Sequence, residues 1–134
     1  MSISKAFDVS STALGAQSLR LNLVASNLAN ADTAASSSAD AYKAQRAVFQ
    51  PVRMSEEGAQ GVEVSGIEQS QAPERLVYEP SHPMADATGY VHYSNVNLAE
   101  EMADMVSASR NYQANLEAMG VSKALISKTL SLGQ

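Results

Sequence analysis

The chain has 134 residues, of which 45% are hydrophobic and 5% aromatic, with no cysteine and a formal net charge of −5. This length predicts a single domain or one body with an arm, and the lack of cysteine excludes disulfides, thiolate metal sites and thiol nucleophiles. The acidic balance disfavours a nucleic-acid partner, which would require Lys and Arg against the phosphates. Because few aromatic side chains are available for a large core, the composition leaves open how the chain stays folded.

The N-terminal segment has a seven-residue repeat of apolar side chains. Phe7, Leu14, Leu21 and Leu28 recur at this spacing, and residues 3–30 contain no proline. A heptad spacing keeps these side chains on one side of an α-helix, and the alanines between them favour helix formation. The pattern predicts a helix over residues 3–30.

The middle of the chain, residues 34–94, is the acidic part, with four basic and eight acidic side chains. Residues 33–40 are small and polar, which predicts a mobile loop. Stretches compatible with β-strands follow at residues 42–52, 62–67, 76–78 and 90–93, with Gly and Pro between them. They predict at most a small hairpin or a three-stranded unit.

The C-terminal segment has two interleaved heptad columns. One is Leu98, Met105, Tyr112, Met119 and Ile126, and the other is Met102, Ser109, Leu116, Lys123 and Leu130. The pattern predicts a helix of about 33 residues. Asn97 is its expected N-cap, with Glu100 as the reciprocal partner. The adjacent Glu100 and Glu101 complement the positive end of the helix dipole.

Together these patterns predict a mainly α fold. Two long N- and C-terminal helices form an antiparallel coiled coil, with a small irregular or β-rich segment between them. The predicted parts are residues 1–33, 34–94 and 95–134. The predicted coiled-coil core consists of Phe7, Leu14, Leu21, Leu28, Leu98, Met102, Met105, Tyr112, Leu116, Met119, Ile126 and Leu130.

Further apolar side chains lie off this predicted seam. They are Leu19, Leu23, Val106, Val121 and Leu125. They would face water in a monomer, and a small chain of this shape usually needs oligomerisation to offset the entropy of ordering it. The sequence therefore predicts self-assembly or a place inside a larger assembly.

No sequence motif predicts a catalytic residue, a cofactor or a metal. The two histidines, His82 in a predicted turn and His92 in a predicted strand, lack the spacing of a helical metal site and are expected to be solvated or at a strand edge. A Gly-rich phosphate loop and a nucleophile elbow are also missing from the sequence. The enzymatic alternative is a small hydrolase that uses one of these histidines with a nearby carboxylate.

The sequence also contains no pattern typical of a membrane span or a signal peptide. No stretch approaches the ~20 apolar residues that span a bilayer, and the first 30 residues contain no apolar core typical of a signal peptide. We therefore expect a cytoplasmic protein or one that is exported without a cleaved signal.

Amide side chains are frequent on both predicted helices. Asn22, Asn27 and Asn30 lie on the first, and Asn111, Gln113 and Asn115 on the last. A buried Asn fixes the register of packed helices at some cost in stability. The two interpretations, a solvated polar face and hydrogen bonds between helices, are both open at this point.

Short motifs occur at both ends of the chain. The N-terminal ones are LGAQ at 14–17, LN at 21–22 and SNLANADT at 26–33, and the C-terminal ones are NVNLAEEM at 95–102 and SRNYQAN at 109–115. They resemble the motifs of the flagellar rod/hook axial protein family of bacteria. The middle motifs SQAPE at 70–74, VYEP at 77–80, HPMAD at 82–86 and GYV at 89–91, with the short length, narrow the resemblance to proximal-rod members.

This resemblance implies a non-enzymatic subunit of the proximal rod, which assembles through its terminal helices into the tubular drive shaft that transmits torque. It implies as partners further copies of the chain and adjacent rod proteins. It also implies export, without a cleaved signal peptide, through the flagellar type III apparatus to the periplasmic part of the basal body. The residues that it marks for assembly are Asn22, Asn27, Asn30, Arg110, Tyr112 and Asn115. A stand-alone coiled-coil adaptor is the alternative function.

Overall fold

The computed structural model describes residues 3–54 and 58–132, and for residues 3 and 4 only the backbone. The elements are α1 (Ile3–Ala29), β1 (Ala34–Ala35), β2 (Gln45–Arg53), β3 (Gln60–Gln69), β4 (Arg75–Tyr78), β5 (Tyr90–Tyr93) and α2 (Leu98–Leu132). The two terminal helices with a β region between them are confirmed. The strands make the fold mixed α/β, so the prediction of a mainly α chain was too narrow. The predicted end segments also include residues 1, 2, 133 and 134, which lie outside the described ranges.

Helix α1 has 27 residues and ends one residue before the predicted boundary. At its C-terminal end, the Asn30 N–H donates to the carbonyls of Ser26 and Asn27, at 3.1 and 3.2 Å. The Asn30 side chain also donates to the Ser26 carbonyl, at 2.8 Å. These bonds satisfy carbonyls that a helix end otherwise leaves free.

Helix α2 has 35 residues and begins at the predicted cap. The Asn97 Oδ1 accepts from the N–H groups of Ala99 and Glu100, at 3.1 and 3.4 Å, as an N-cap side chain does. The predicted reciprocal role of Glu100 is replaced by an ion pair, in which its carboxylate lies 3.4 Å from the guanidinium of Arg46.

A three-stranded antiparallel sheet has β5 at its centre, flanked by β1 and β4. Val91 on β5 is fully buried. The predicted mobile loop over residues 33–40 was wrong in part, because Ala34 and Ala35 pair with Tyr93 and His92. Small side chains suggest a loop by composition, but here they allow a short strand to lie against β5, with Ala35 buried.

Strands β2 and β3 form a separate two-stranded sheet. The Met54 N–H donates to the Ala59 carbonyl at 2.9 Å, and Gly58 in this connection has φ of +86°, a conformation that favours glycine. Gly61 on β3 is tight against α1, since a Cβ there would lie 2.8 Å from Thr12 Oγ1. The same Thr12 oxygen accepts from the Val62 N–H at 3.2 Å and so attaches the sheet to the helix.

The chain forms two compact units, each built from separate stretches of sequence. Unit 1 consists of the described residues of Met1–Leu21, Ala47–Gly66 and Val106–Gln134. Unit 2 consists of Asn22–Arg46 and Ile67–Met105. Both terminal helices contribute to both units.

The interiors of the units contain few large side chains. Unit 1 buries Ala16, Ala59, Ala108 and Ser122, and unit 2 buries Leu23, Val24, Asn27, Ala31, Ala35, Ala41, Ala44, Val91, Ser94 and Glu101. The predicted exposure of Leu23 was wrong, because the buried face of α1 runs through Leu23 and its neighbour Asn27, one turn later. Val106, Val121 and Leu125 are exposed as predicted.

Candidate assembly site

Asn27 is the centre of a buried polar network in unit 2, which we call the Asn27 network (Asn27, Tyr42, Gln45 and Glu101). Its Nδ2 donates to the Gln45 carbonyl at 2.9 Å and to Glu101 Oε2 at 3.1 Å. Its Oδ1 accepts from the Gln45 N–H at 2.9 Å and from the Tyr42 hydroxyl at 3.0 Å. An amide can donate two hydrogen bonds and accept two, so this fully buried side chain is satisfied.

Glu101 brings a carboxylate into the same buried network. A buried charge is costly unless hydrogen bonds and favourable dipoles stabilise it. The Asn27 amide supplies one donor, and the position of Glu101 in the first turn of α2 places it at the positive end of the helix dipole. Glu101 therefore lies at the positive end of the helix dipole, as predicted, and it is also buried. The heptad pattern did not predict this burial.

Asn95 joins two further segments to the start of α2. Its Oδ1 accepts from the Ala44 N–H at 2.7 Å, and its Nδ2 donates to the carbonyls of Ser70 and Ala72, at 3.3 and 2.9 Å. No pattern in the sequence predicted a role for Asn95, although it begins the motif NVNLAEEM. An amide just before a helix cap was the available signal, because such residues often hydrogen-bond to nearby backbone.

In unit 1, α2 presents a narrow buried face. Ala108 is fully buried and Ser122 is buried. Between and beyond them, half-buried side chains follow at heptad spacing, namely Tyr112, Met119 and Ile126. Phe7 of α1 lines one apolar groove with Met119 and Ile126, so α1 and α2 meet here.

The predicted coiled-coil residues differ in burial. Eight are half-buried, namely Phe7, Leu14, Leu21, Leu28, Met105, Tyr112, Met119 and Ile126. Leu98, Met102, Leu116 and Leu130 are exposed by 46, 60, 52 and 69%. Three of these four, Met102, Leu116 and Leu130, share one heptad column, and the small Ala108 and Ser122, each one residue before a position of that column, face inward instead. The place of the four exposed residues in a helical core stays a prediction.

The residues that the resemblance marks for assembly also differ in their contacts and exposure. Asn27 bonds between helices, whereas the Asn115 amide donates to the Asn111 carbonyl of its own helix, at 2.8 Å. Asn22 and Arg110 are exposed. A role for these four residues in assembly stays a prediction, as it does for Asn30 and Tyr112.

The expectation of an exposed or edge position for His92 was wrong. Its side chain is only 14% exposed, on the central strand β5, and lies between two carboxylates. Nδ1 is 2.8 Å from Glu74 Oε1, and Nε2 is 3.5 Å from Asp86 Oδ2. These partners, Glu74 first, raise the pKa of His92 above its usual value. The two carboxylates are contributed by the segments before β4 and β5, so no sequence spacing signals them.

The pKa values of both carboxyl groups are lowered in return. Hydrogen bonds from Ser38 and then from His92 lower the pKa of Glu74. The Thr88 hydroxyl, followed by the Tyr90 N–H, lowers the pKa of Asp86 to about 2. By contrast, His82 accepts the Met84 N–H on its Nδ1 at 3.0 Å within a turn.

Among residues 3–54 and 58–132, no set of three or more His, Asp or Glu side chains is placed to hold a metal ion. No helix in the described part of the chain is long and apolar enough to cross a membrane.

Two family models match the ends of the chain. Residues 7–34 match the model described as "Flagella basal body rod protein", and residues 87–132 match "Flagellar basal body rod FlgEFG protein C-terminal". The chain is 48% identical to the flagellar basal-body rod protein FlgC of Salmonella typhimurium and 47% identical to that of Escherichia coli O6:H1, over the full length of each. It is 37% identical to FlgC of Borreliella burgdorferi, covering all of this chain and 99% of that protein.

The chain belongs to the FlgC family of flagellar basal-body rod proteins. It is a structural subunit of the basal-body rod and not an enzyme, which decides against the adaptor and hydrolase alternatives. The family-model match over residues 7–34 includes Asn27, and the match over residues 87–132 includes Asn95 and Glu101. Three side chains that hold unit 2 together thus lie inside the segments that characterise rod proteins.

Proposed function

We propose that the chain is a proximal-rod subunit whose terminal helices pack as an antiparallel coiled coil and assemble into the tubular drive shaft that transmits torque. Its residues 1–33 and 95–134 supply the helical core, and residues 34–94 form the part between them. Its partners are further copies of the chain and the adjacent rod proteins.

Contacts at both ends of α1 support the antiparallel arrangement. Near the end of α1, Asn27 bonds to Glu101 in the first turn of α2. Near the start of α1, Phe7 lines the same groove as Ile126 in the last turns of α2. Contacts of late with early residues, and of early with late residues, are those that antiparallel helices make.

A second apolar face of α2 supports the proposed assembly. Val121, Leu125 and Leu132 lie at i, i+4 and i+11, on a stripe that is roughly 100° around the helix from Ser122 and Ile126, and all three are exposed. One helix with one face against its own chain and another against solvent is typical of a subunit whose neighbours supply the missing contacts. Leu98, Met102, Leu116 and Leu130 become buried in the same way.

The route to the rod is part of the proposal. The chain passes unfolded, without a cleaved signal peptide, through the flagellar type III export apparatus and reaches the periplasmic part of the basal body. The fully enclosed residues among those described in unit 1 are alanines and one serine, and this supports the route, because a thin core makes little hydrophobic contribution to stability. Unfolding unit 1 for export therefore costs little free energy.

Substitution of the second face tests the assembly. In a strain that lacks the native gene, the double variant Val121→Ser with Leu125→Ser should abolish swimming and the formation of basal-body rods. The polar variant Glu117→Gln with Lys128→Gln, on the same helix, should retain both. Normal rods from the double serine variant would contradict the proposal, whereas a failure of both variants would show sensitivity of α2 to any change.

The isolated chain provides a second test. Because unit 1 lacks its neighbours in dilute solution, we expect a helical content below that of the assembled subunit and a broad thermal transition by far-UV circular dichroism. A dilute monomer with full helical content and a sharp two-state melt would contradict the proposed dependence on neighbours.

A further inference from the structure

We propose that His92 is a proton-operated clamp: in its charged form it links both Glu74 and the turn at residues 82–89 to β5, and in its neutral form it loses the link to the turn, whose attachment to β5 is then weaker. The clamp consists of Glu74, His92 and Asp86 and lies wholly within unit 2. It is independent of the contacts between subunits proposed above.

The arrangement of atoms requires a charged imidazole. Each ring nitrogen of His92 faces a carboxylate oxygen, at 2.8 Å for Glu74 and 3.5 Å for Asp86. A protonated imidazole has two N–H donors, one for each carboxylate, whereas a neutral imidazole has one N–H and one lone pair. Loss of the proton therefore turns one of these attractions into a repulsion between a lone pair and a carboxylate.

The contact that is lost is the one to Asp86. Glu74 is closer to the ring and is itself held by Ser38, whose hydroxyl donates to Glu74 Oε2 at 2.6 Å. The single remaining N–H of neutral His92 thus stays with Glu74. Nε2 then presents its lone pair to Asp86 Oδ2.

Asp86 transmits this change to its turn. Its Oδ1 accepts from the Thr88 N–H and hydroxyl, at 2.8 and 2.7 Å, and from the Tyr90 N–H, at 3.0 Å. Tyr90 is the first residue of β5, and the Asp86 N–H also donates to the Tyr90 carbonyl at 2.8 Å, so these bonds hold the turn to β5 in both forms of His92. Loss of the contact between Asp86 Oδ2 and His92 therefore loosens the turn without detaching it.

Arg75, the charged residue at the start of β4, is directed elsewhere, since its guanidinium lies 3.0 Å from Asp32 Oδ1 and 4.9 Å from the centroid of the Tyr93 ring. The cross-strand neighbours of His92 are Ala35 on β1 and Leu76 on β4, both uncharged. Lys43, in the segment before β2, acts on Glu74 and lowers its pKa. The charged groups that face the ring are Glu74 and Asp86.

The direction of each pKa shift sets the pH range of the closed clamp. The pKa of His92 is raised above 6.5, so its stabilisation is complete below pH 6.5 and is lost as the pH rises through the raised value. The pKa values of Glu74 and Asp86 are lowered from 4.5 and 3.8, so their stabilisation is complete above pH 4.5 and is lost in acid. The clamp is closed between these limits and opens on the alkaline side.

Nuclear magnetic resonance of the full-length chain tests the clamp. We expect the His92 ring to titrate above its usual pKa, and the titration midpoint to fall in both Glu74→Gln and Asp86→Asn. Amide protection at residues 86–90, corrected for the intrinsic exchange rate, should drop about tenfold as the pH rises through this midpoint, which corresponds to one hydrogen bond to a charged group. In His92→Gln the protection should be low at every pH.

Glu79→Gln is the matched control, because it removes a carboxylate near the turn that does not face His92. It should leave the His92 midpoint and the protection unchanged. The methyl resonances of the fully buried Val91 report whether the sheet is folded. If His92→Gln unfolds the sheet, Asp86→Asn supplies the decisive result, since it keeps the Oδ1 acceptor and should remove the pH dependence. An ordinary His92 midpoint, or protection that is equally pH-dependent in Asp86→Asn, would overturn the proposal.

Discussion

Unit 2 and unit 1 are stabilised by different kinds of contact. Unit 2 encloses a satisfied polar network around Asn27 and a fully buried Val91. The interior of unit 1 along α2 is Ala108 and Ser122, while Val121 and Leu125 of the same helix face solvent.

This difference separates two tasks of one small chain. A buried polar network specifies one arrangement, because each donor needs its own acceptor. Small interior side chains let helices approach closely but bury little apolar area. Burial of the exposed leucines and valines contributes to the free energy only when neighbouring subunits cover them. We infer that unit 2 is ordered by its own contacts and that unit 1 gains most of its stability on assembly.

The largest expected effect is the loss of the Asn27 network. Asn27→Ala leaves the Glu101 carboxylate and the Gln45 backbone groups buried without their partner, which should lower the free energy of unfolding by about 3 kcal/mol or more. Urea unfolding of the full chain, followed by tyrosine fluorescence, measures it, because four of the five tyrosines lie in unit 2.

Asn22→Ala is the control for that substitution, since Asn22 is exposed on the same helix. Its free energy of unfolding should stay within about 0.5 kcal/mol of that of the unchanged chain. Similar losses in the two variants would mean that Asn27 contributes through helix propensity and not through its hydrogen bonds.

A pair of valine substitutions compares the two units directly. Val91→Ala creates a cavity in unit 2 and should cost about 2 kcal/mol of unfolding free energy. Val121→Ala, in unit 1, should change the stability of the isolated chain by less than about 0.5 kcal/mol but weaken rod assembly. The first is measured by urea unfolding and the second also by swimming of a complemented strain. Equal costs in the isolated chain would remove the distinction between the units.

The smallest expected effect concerns the start of α2. Asn97→Ala removes the cap that accepts from the N–H groups of Ala99 and Glu100, and should cost about 1 kcal/mol. Asn97→Ser preserves a capping oxygen and should retain most of the stability. If both variants unfold at the same urea concentration as the unchanged chain, the cap does not limit the stability of unit 2.

Sequence reasoning located the long helices well, because their signals are local. The end of α1 was predicted within one residue, and Asn97 caps α2 as expected. The same reasoning placed Leu23 off the heptad seam and so predicted it to be exposed, whereas it is buried. Periodicity identifies the apolar faces of a helix. Which of these faces is buried depends on the segment that packs against the helix.

The candidate sites show the same limit. The family motifs contained Asn27, Asn95 and Glu101, but only Asn27 was marked for assembly. The carboxylates beside His92 come from Glu74 and Asp86, on segments that pair only after the sheet has formed. No spacing rule applies to such groups, because their separation along the chain carries no information about their separation in space.

The sequence by itself determined the two helices, the presence of short strands between them and, through its motifs, the family of rod proteins. These follow from periodicity, capping and local composition, which act over a few residues. Only the tertiary structure decided that Ala34 and Ala35 form a strand, that Asn27 meets Glu101, and that His92 lies between two carboxylates. Each of these depends on a partner that is distant in sequence, 74 residues away in the case of Glu101, and such contacts form only when the chain has folded.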